Sequence, residues 1–327
     1  MKHPKILYAI NGTGLGHISR AKALIPYLKQ HAEIELLISG KRTDLIFDHE
    51  IKYCFKGFTF VYDKGGVNWF KTIKNSNPIS FVKDVLSLDI SIYDAVLSDF
   101  EPISAWASIL KKKKCINVSH QASFYSPNTP RPKPYFLYTF QEIFMRYFAN
   151  TKDYIGIHYK SYDKNIINPL IKDDILKAKT KTLKHITVYL SAISVKKQIN
   201  IFLKFPEHQF EVFHSKCKTQ KKIKNITLSP LSESFKKSLI NSSGYISQAG
   251  FESTSEALFL QKPLLAIPIK NQYEQKCNAS ALKELGASIS KNLNFQTVDQ
   301  WIHSKQRLKK IQAANPEALA KKILEKI

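Results

Sequence analysis

The stretch Ile246–Ala279, ISQAGFESTSEALFLQKPLLAIPIKNQYEQKCNA, decides how the chain is read. Tyr245-Ile246 ends an apolar strand, Ala249-Gly250 turns the backbone, and Ser253–Leu260 carries helical periodicity. A second strand at Leu264–Ile267 and a second helix at Gln272–Leu285 follow. Strands alternating with helices in this way build a parallel α/β sheet, and ligands of such sheets sit beyond the carboxyl ends of the strands. The helix start after Gly250 offers free backbone amides beside the hydroxyls of Ser253 and Thr254, a combination suited to holding a diphosphate without metal. Gln248 closes the strand next to that turn. Glu256, one helical turn further on, can accept two hydrogen bonds from a ribose diol. Glu274 and Gln275 open the following helix beside the same pocket, placed for sugar hydroxyls.

Upstream, the same alternation continues through strands at Ile186–Leu190, Phe210–Phe213 and Ile226–Leu228. A polar, lysine-rich stretch with Pro169 and no long strand precedes them. Before it lies another α/β series: the strand KILYAIN, a glycine turn, a helix over Ile18–Leu28, and strands at Ile34–Ile38, Phe58–Tyr62, Ala95–Leu97 and Cys115–Val118, with helices at Phe81–Leu88 and Ile103–Leu110. With 327 residues, 43% of them hydrophobic, the chain has material for two cores. The expected architecture is two Rossmann-like, doubly wound α/β domains facing a cleft, residues 1–165 and 185–327 with a linker at 166–184. The pattern over Pro316–Ile327 reads as one amphipathic helix that can pack back on the first domain.

The first strand runs into Asn11-Gly12-Thr13-Gly14-Leu15-Gly16-His17. Gly14 and Gly16 sit where backbone must turn and approach a ligand closely. The spacing is G-x-G-x-G, not the dinucleotide fingerprint G-x-G-x-x-G, and the second strand ends in Ser39-Gly40-Lys41 with no acidic ribose ligand, which argues against a nicotinamide dehydrogenase. His17 lies at the sheet's carboxyl edge, where a neutral imidazole can remove a proton from a hydroxyl near neutral pH. Asp99, at the end of the strand in Asp94–Pro102, would sit on the same edge and hold the imidazole's tautomer, or else cap the helix after Pro102. Glu101 either serves an acceptor or favours that helix's dipole. His120 and Gln121 close the next strand on the same edge, available to an acceptor or a phosphate.

The donor-side stretch resembles the nucleotide-sugar signature of UDP-glycosyltransferases and of the lipid-linked N-acetylglucosaminyl transferase of peptidoglycan synthesis, and GTGLGHISRA resembles the acceptor-side opening of those enzymes. The resemblance implies the GT-B fold and an inverting, metal-independent transfer of a sugar from a nucleotide sugar, UDP-linked by this signature, to a hydroxyl of a glycan, lipid or small molecule. UDP-sugar enters as co-substrate and no cofactor is implied; no D-x-D metal motif occurs. Residue by residue it implies His17 as base, Asp99 as its partner, Gly250 and Ser253 at the diphosphate, Glu256 at the ribose, and Glu274 and Gln275 at the sugar. Two positions depart from plant-type members, Gln248 in place of a histidine and Glu252 in place of an asparagine; Glu252 is expected to face solvent and cap its helix. Tyr189–Ser194 lacks the glycine-rich turn of many relatives, leaving Lys196 as a weak phosphate candidate. A nucleotide-sugar 2-epimerase would share this architecture but needs further carboxylates around the sugar.

Fifty Lys and Arg against 26 Asp and Glu give +24, nearly all the excess being lysine. A lysine surface suits loose attraction to anionic membrane headgroups or acidic glycans, whereas base-reading nucleic-acid proteins lean on arginine forks, so a polyanion-binding degenerate transferase is the minor alternative. The four cysteines form no C-x-x-C pair, and no apolar run reaches eighteen residues, so a reduced, cytoplasmic, non-spanning protein is expected, with peripheral attachment at the inner membrane face open. After the proline-rich SPNTPRPKP, the segment Tyr135–Phe148, YFLYTFQEIFMRYF, is apolar on more than one helical face. It reads as a helix in the interface or core, or as a membrane-facing or lipid-acceptor surface.

Overall fold

A computed structural model describes residues 3–13, 15–40, 49–57, 62–63, 66–67 and 77–327. Gly14 and most of the strand expected at Phe58–Tyr62 lie outside the described residues. In the first half the elements are β1 (Lys5–Asn11), α1 (Leu15–Leu28), β2 (Glu33–Ser39), β3 (Tyr53–Phe55), the hairpin β4 (Tyr62–Asp63) and β5 (Gly66–Val67), α2 (Pro78–Ser87), β6 (Ala95–Asp99), α3 (Pro102–Leu110), β7 (Cys115–Ser119), α4 (Thr139–Phe148), β8 (Asp153–Ile157) and β9 (Ile166–Ile167). The second half holds α5 (Asp173–Leu176), β10 (His185–Tyr189), α6 (Val195–Phe202), β11 (Gln209–Phe213), β12 (Lys221–Ile223), β13 (Ile226–Ser229), α7 (Glu233–Asn241), β14 (Gly244–Ser247), α8 (Phe251–Phe259), β15 (Leu264–Ala266), α9 (Tyr273–Glu284), β16 (Ser288–Ile289), α10 (Phe295–Ile302) and α11 (Pro316–Leu324).

Each half forms one seven-stranded sheet, in the order β3-β2-β1-β6-β7-β8-β9 and β12-β13-β11-β10-β14-β15-β16. All pairings are parallel except the edge pair β12–β13. In both sheets the direction of strand addition reverses beside the first strand, between β1 and β6 and between β10 and β14. Strand ends diverge there and leave a crevice. The central strands are apolar without alternation because helices cover both faces: Ile6 through Ile10 are all fully buried.

One apolar cluster runs through α1, the α1-facing side of the first sheet, α8, α9 and α11. The last helix lies against α1, with Leu319, Ala320 and Ile323 in the same cluster as Leu24, Ile25 and Leu28. The chain therefore ends on the domain in which it began. The first sheet takes in β9 and so extends two residues into the expected linker.

Tyr135–Phe148 divides in two. Tyr135–Tyr138 is a 3-10 turn, and in α4 Met145 and Phe148 are buried while Phe136 before it and Phe140 within it are 75% and 70% exposed. The core reading holds for one side of the helix only. Among the described residues no helix is long and apolar enough to cross a membrane.

Gly156 shows how tightly β8 seats the turn after β7: a Cβ there would lie 2.6 Å from Ser123 Cα and 2.8 Å from Ser123 N. Gly156→Ala is expected to lower stability by about 1–3 kcal/mol, seen as a fall in urea midpoint at constant m.

Candidate functional site

The register pairs Ile10 of β1 with Asp99 of β6, so the ends of β1 and β6 leave the first sheet side by side. His17 and Arg20 are one turn apart on α1, and both face Asp99. His17 Nδ1 lies 2.7 Å from Asp99 Oδ1. Arg20 donates from Nε to Oδ2 at 2.8 Å and from Nη2 to Oδ1 at 2.9 Å, a fork on one carboxylate. Arg20 Nη2 is also 3.2 Å from His17 Nδ1. A carboxylate in front of it assigns the proton to Nδ1, so the two donors converge on Oδ1 and do not bond each other.

This cluster is out of water: Asp99 is 0%, Arg20 4% and His17 8% exposed. Burial alone would raise the Asp99 pKa, but Arg20 first and His17 second outweigh it and hold the carboxyl below its ordinary range. Burial likewise opposes the Arg20 charge, and Asp99 and Glu252 more than restore it. The backbone is bent to suit. Phe100 adopts φ +53°, a left-handed conformation uncommon for an aromatic residue, and its carbonyl is held by Asn11 Nδ2 at 3.0 Å. The Phe100 ring lies parallel to the His17 imidazole, with centroids 6.3 Å apart.

Glu101 belongs to a different job from the one expected of it at an acceptor. It is fully buried, caps α3 by accepting from Ile103 N at 2.9 Å and Ser104 N at 2.6 Å, and accepts from Ser39 Oγ at 2.6 Å. Burial pushes its pKa up, against those hydrogen bonds. The capping role that Asp99 also admitted falls to Glu101, which frees Asp99 for His17.

Glu252 is half-buried and turned towards α1 more than towards solvent, its side chain 25% exposed. Its Oε1 accepts from Arg20 Nη1 at 2.5 Å, and a Cβ on Gly16 would lie 2.7 Å from its Cγ. Gly16 is thus small to admit Glu252, and the two domains meet through Arg20. Burial raises the Glu252 pKa, with Arg20 the main opposing influence.

On the donor side, α8 starts at Gly250 with no side-chain cap, and a Cβ on Gly250 would meet nothing within 4 Å. By contrast α6 is capped by Ser194, which accepts from Lys197 N; Lys196 on that helix is exposed. Thr254, expected to offer its hydroxyl to a diphosphate, is fully buried, bonding Gly250 O at 2.6 Å and Tyr159 OH at 2.7 Å. Ser253 remains half-buried near the helix start. Gln248 Oε1 accepts from Ser191 Oγ at 2.8 Å, linking the ends of β14 and β10. Glu256 Oε1 pairs with Lys172 Nζ of the linker at 2.9 Å, and this partner lifts the Lys172 pKa against the effect of burial.

Across the interface His120 and Gln121 reach donor-side helices. His120 stacks on Phe251 with centroids 3.9 Å apart, and its Nε2 lies 2.7 Å from Asn278 Oδ1 while Nδ1 lies 2.8 Å from Ile157 O. Burial keeps its pKa below the usual histidine range. Gln121 Nε2 donates to Glu274 Oε2 at 3.0 Å. Gln275 Oε1 accepts from Ile269 N at 2.9 Å and so fixes the loop before α9. Arg20, Lys172 and Asn278 have roles here that the sequence reading did not give them. Only Arg20 had a signal, its i+3 spacing from His17. Among the described residues no group of three or more His, Cys, Asp or Glu side chains could hold a metal ion.

Breaking a buried pair leaves its partner uncompensated, so Arg20→Met should lower stability by about 3–5 kcal/mol. Asp99, with its folded pKa depressed, contributes stability that is fully present above its ordinary value of 3.8 and lost as pH falls through the lower folded value. In Arg20→Met burial is no longer outweighed and the folded Asp99 pKa rises towards or above its ordinary value, so the part of the acid loss that Asp99 supplies should shrink or reverse, checked by urea midpoints across an acid series; an unchanged acid limb would contradict the fork.

Several comparisons bear on this geometry. The family model described as glycosyl transferase family 1 matches residues 4–305. None of the curated protein sequences compared with the chain matches it. Among solved structures, a UDP-glucosyltransferase from Polygonum tinctorium capable of glucosylating indoxyl, in complex with 3,4-dichloroaniline, superposes with TM-score 0.61 at 13% identity, covering 99% of this chain and 93% of that one. MurG of Acinetobacter baumannii gives 0.59 at 15% identity, with 99% and 100% covered. The glycosyltransferase SnogD of Streptomyces nogalater gives 0.53 at 14% identity, with 99% and 95% covered. These likenesses establish the fold, two facing α/β domains of GT-B type, and with the family match over nearly the whole length the chain belongs to glycosyl transferase family 1, a glycosyltransferase.

Proposed function

We propose that the protein transfers a sugar from a UDP-sugar to an acceptor hydroxyl by a single inverting displacement that requires no metal. The observation that carries this reading is the His17–Asp99 pair at the crevice of the first sheet, opposite the uncapped start of α8 in the second. His17 Nε2 takes the acceptor's O–H proton as its oxygen attacks the anomeric carbon. The bond from that carbon to the diphosphate oxygen breaks, and UDP departs with the electron pair. Asp99 stabilises the imidazolium that results, and the neutral tautomer it enforces is the one that can accept a proton.

The leaving diphosphate would meet the free amides of α8 and the Ser253 hydroxyl at Gly250, where no Cβ intrudes. Arg20 neutralises Glu252 at that point, which answers the presence of a carboxylate near a phosphate site. Glu256, oriented by Lys172, would take the ribose diol, and Glu274, oriented by Gln121, the sugar hydroxyls. Gln275 and Gln248 act by fixing the loops around the pocket.

His17→Ala should cut transfer by about 10²–10⁴-fold while UDP still raises the melting temperature, because the general base touches the acceptor and not the nucleotide. Glu256→Ala should weaken UDP binding in calorimetry. EDTA should change neither. Full transfer by His17→Ala would remove the base assignment, and an EDTA-sensitive rate would remove metal independence.

A further inference from the structure

An apolar groove of about 340 Å³ opens between α2, α3 and α4, within the size range of ligand sites. Phe81 of α2, Trp106 of α3, and Phe140, Ile143, Phe144 and Phe148 of α4 line it, and no ionisable group with a charge at neutral pH does. On α4 the spacing 140, 143/144, 148 marks one helical stripe. Its outer part is open: Phe140 is 70%, Tyr147 52% and Ile143 51% exposed. A contiguous aromatic and aliphatic face of this kind is costly to leave wet and marks a binding surface.

The inner end of the groove determines what belongs in it. Phe148 packs on Phe100 with centroids 4.8 Å apart, and Phe100 lies parallel to His17 at 6.3 Å. The groove therefore ends one aromatic ring from the base, and Pro102, on its wall, directly follows the Asp99–Glu101 segment. We propose that the groove holds the hydrocarbon chain of an amphiphilic acceptor whose hydroxylated head is presented to His17. This rests on the transferase reading above and narrows its acceptor to a lipid-type alcohol or glycolipid. A glycan or small polar acceptor would leave the groove unused. The supply side fits as well. The basic run Lys111–Lys114 follows α3, with Lys111, Lys112 and Lys114 exposed, and complements the anionic surface from which such a lipid is drawn.

Trp106 in the wall is a built-in reporter. Titration with 11-bromo-1-undecanol should give saturable quenching of tryptophan fluorescence, and 3-bromo-1-propanol should not. Ile143→Asp, on the exposed rim and so compatible with folding, should weaken the apparent affinity about tenfold or more by placing a charge against the chain. Trp106→Phe should remove the saturable component. UDP-induced thermal stabilisation should be unchanged in Ile143→Asp, and label from UDP-sugar should enter a chloroform-soluble product when a crude lipid extract is supplied. Absent or non-saturable quenching, or equal affinity in Ile143→Asp, overturns the inference. So does salt-sensitive binding to anionic vesicles without quenching by the soluble bromoalcohol, which would make the face a membrane contact only. If UDP itself neither binds nor stabilises, the donor reading fails instead, so the two failures are distinguishable.

Discussion

The site is organised around one buried cation. Arg20 carries its charge at 4% exposure, and it is tolerable there because two carboxylates from different domains flank it, Asp99 through a fork and Glu252 through a single short bond. Desolvating three charged groups is expensive, and replacement by apolar residues of the same size would often be neutral or better for stability. What the arrangement supplies is placement. Asp99 is kept ionised next to His17, and α8 is drawn against Gly16 of α1, so that His17 and α8 are set relative to each other by the same guanidinium.

Other features follow from the need to bring these groups together. Phe100 takes a left-handed conformation because the chain must leave β6 with Asp99 facing α1 and re-enter α3 only two residues later with Glu101 as its cap. The strain is met by Asn11, whose Nδ2 holds the Phe100 carbonyl and whose Oδ1 accepts from Thr13 N at 3.0 Å. Gly16, which a sequence reading assigns to ligand approach, is small for the sake of Glu252. The interface repeats this logic at a second point, where His120 lies flat on Phe251 and its Nε2 meets Asn278. His120 and Gln121 are thereby supports of α8 and α9 of the second domain, although they stand at the edge of the first sheet.

The sequence made the two α/β halves legible because buried parallel strands are written as apolar runs and their helices as periodic ones. Strands of two residues, β9 and β16, carry too little pattern to be seen, and β9 is why the first sheet reaches past residue 165. The placement of Asp99 and the Gly250 turn at strand ends, and of His17 in the first turn of the helix that follows β1, was legible because topology alone puts those positions at the crevice. Thr254 was misjudged, and Glu101 was left between an acceptor and its own helix, for a common reason: a hydroxyl or carboxylate at a helix start can serve a ligand or its own backbone, and composition does not distinguish the two. Glu252 was misjudged because its partner lies 232 residues away in another domain, and no local signal reports such a contact.

The same limit explains Tyr135–Phe148. A helix apolar on several faces satisfies a core pattern and a surface pattern at once, and only the neighbours decide. Here α4 buries Met145 and Phe148 against the site, with Tyr273 of the second domain donating to Glu142 Oε2 at 2.7 Å. Its other side stays open between α2 and α3. The helix therefore joins three things: the aromatic ring next to His17, a contact with the second domain, and a hydrocarbon surface facing outward. A chain lying along that surface would press on Phe148 and through it on Phe100, the strained residue that follows Asp99. An apolar acceptor would in this way stabilise the same backbone segment that aims the carboxylate at His17, coupling occupation of the groove to the geometry of the base.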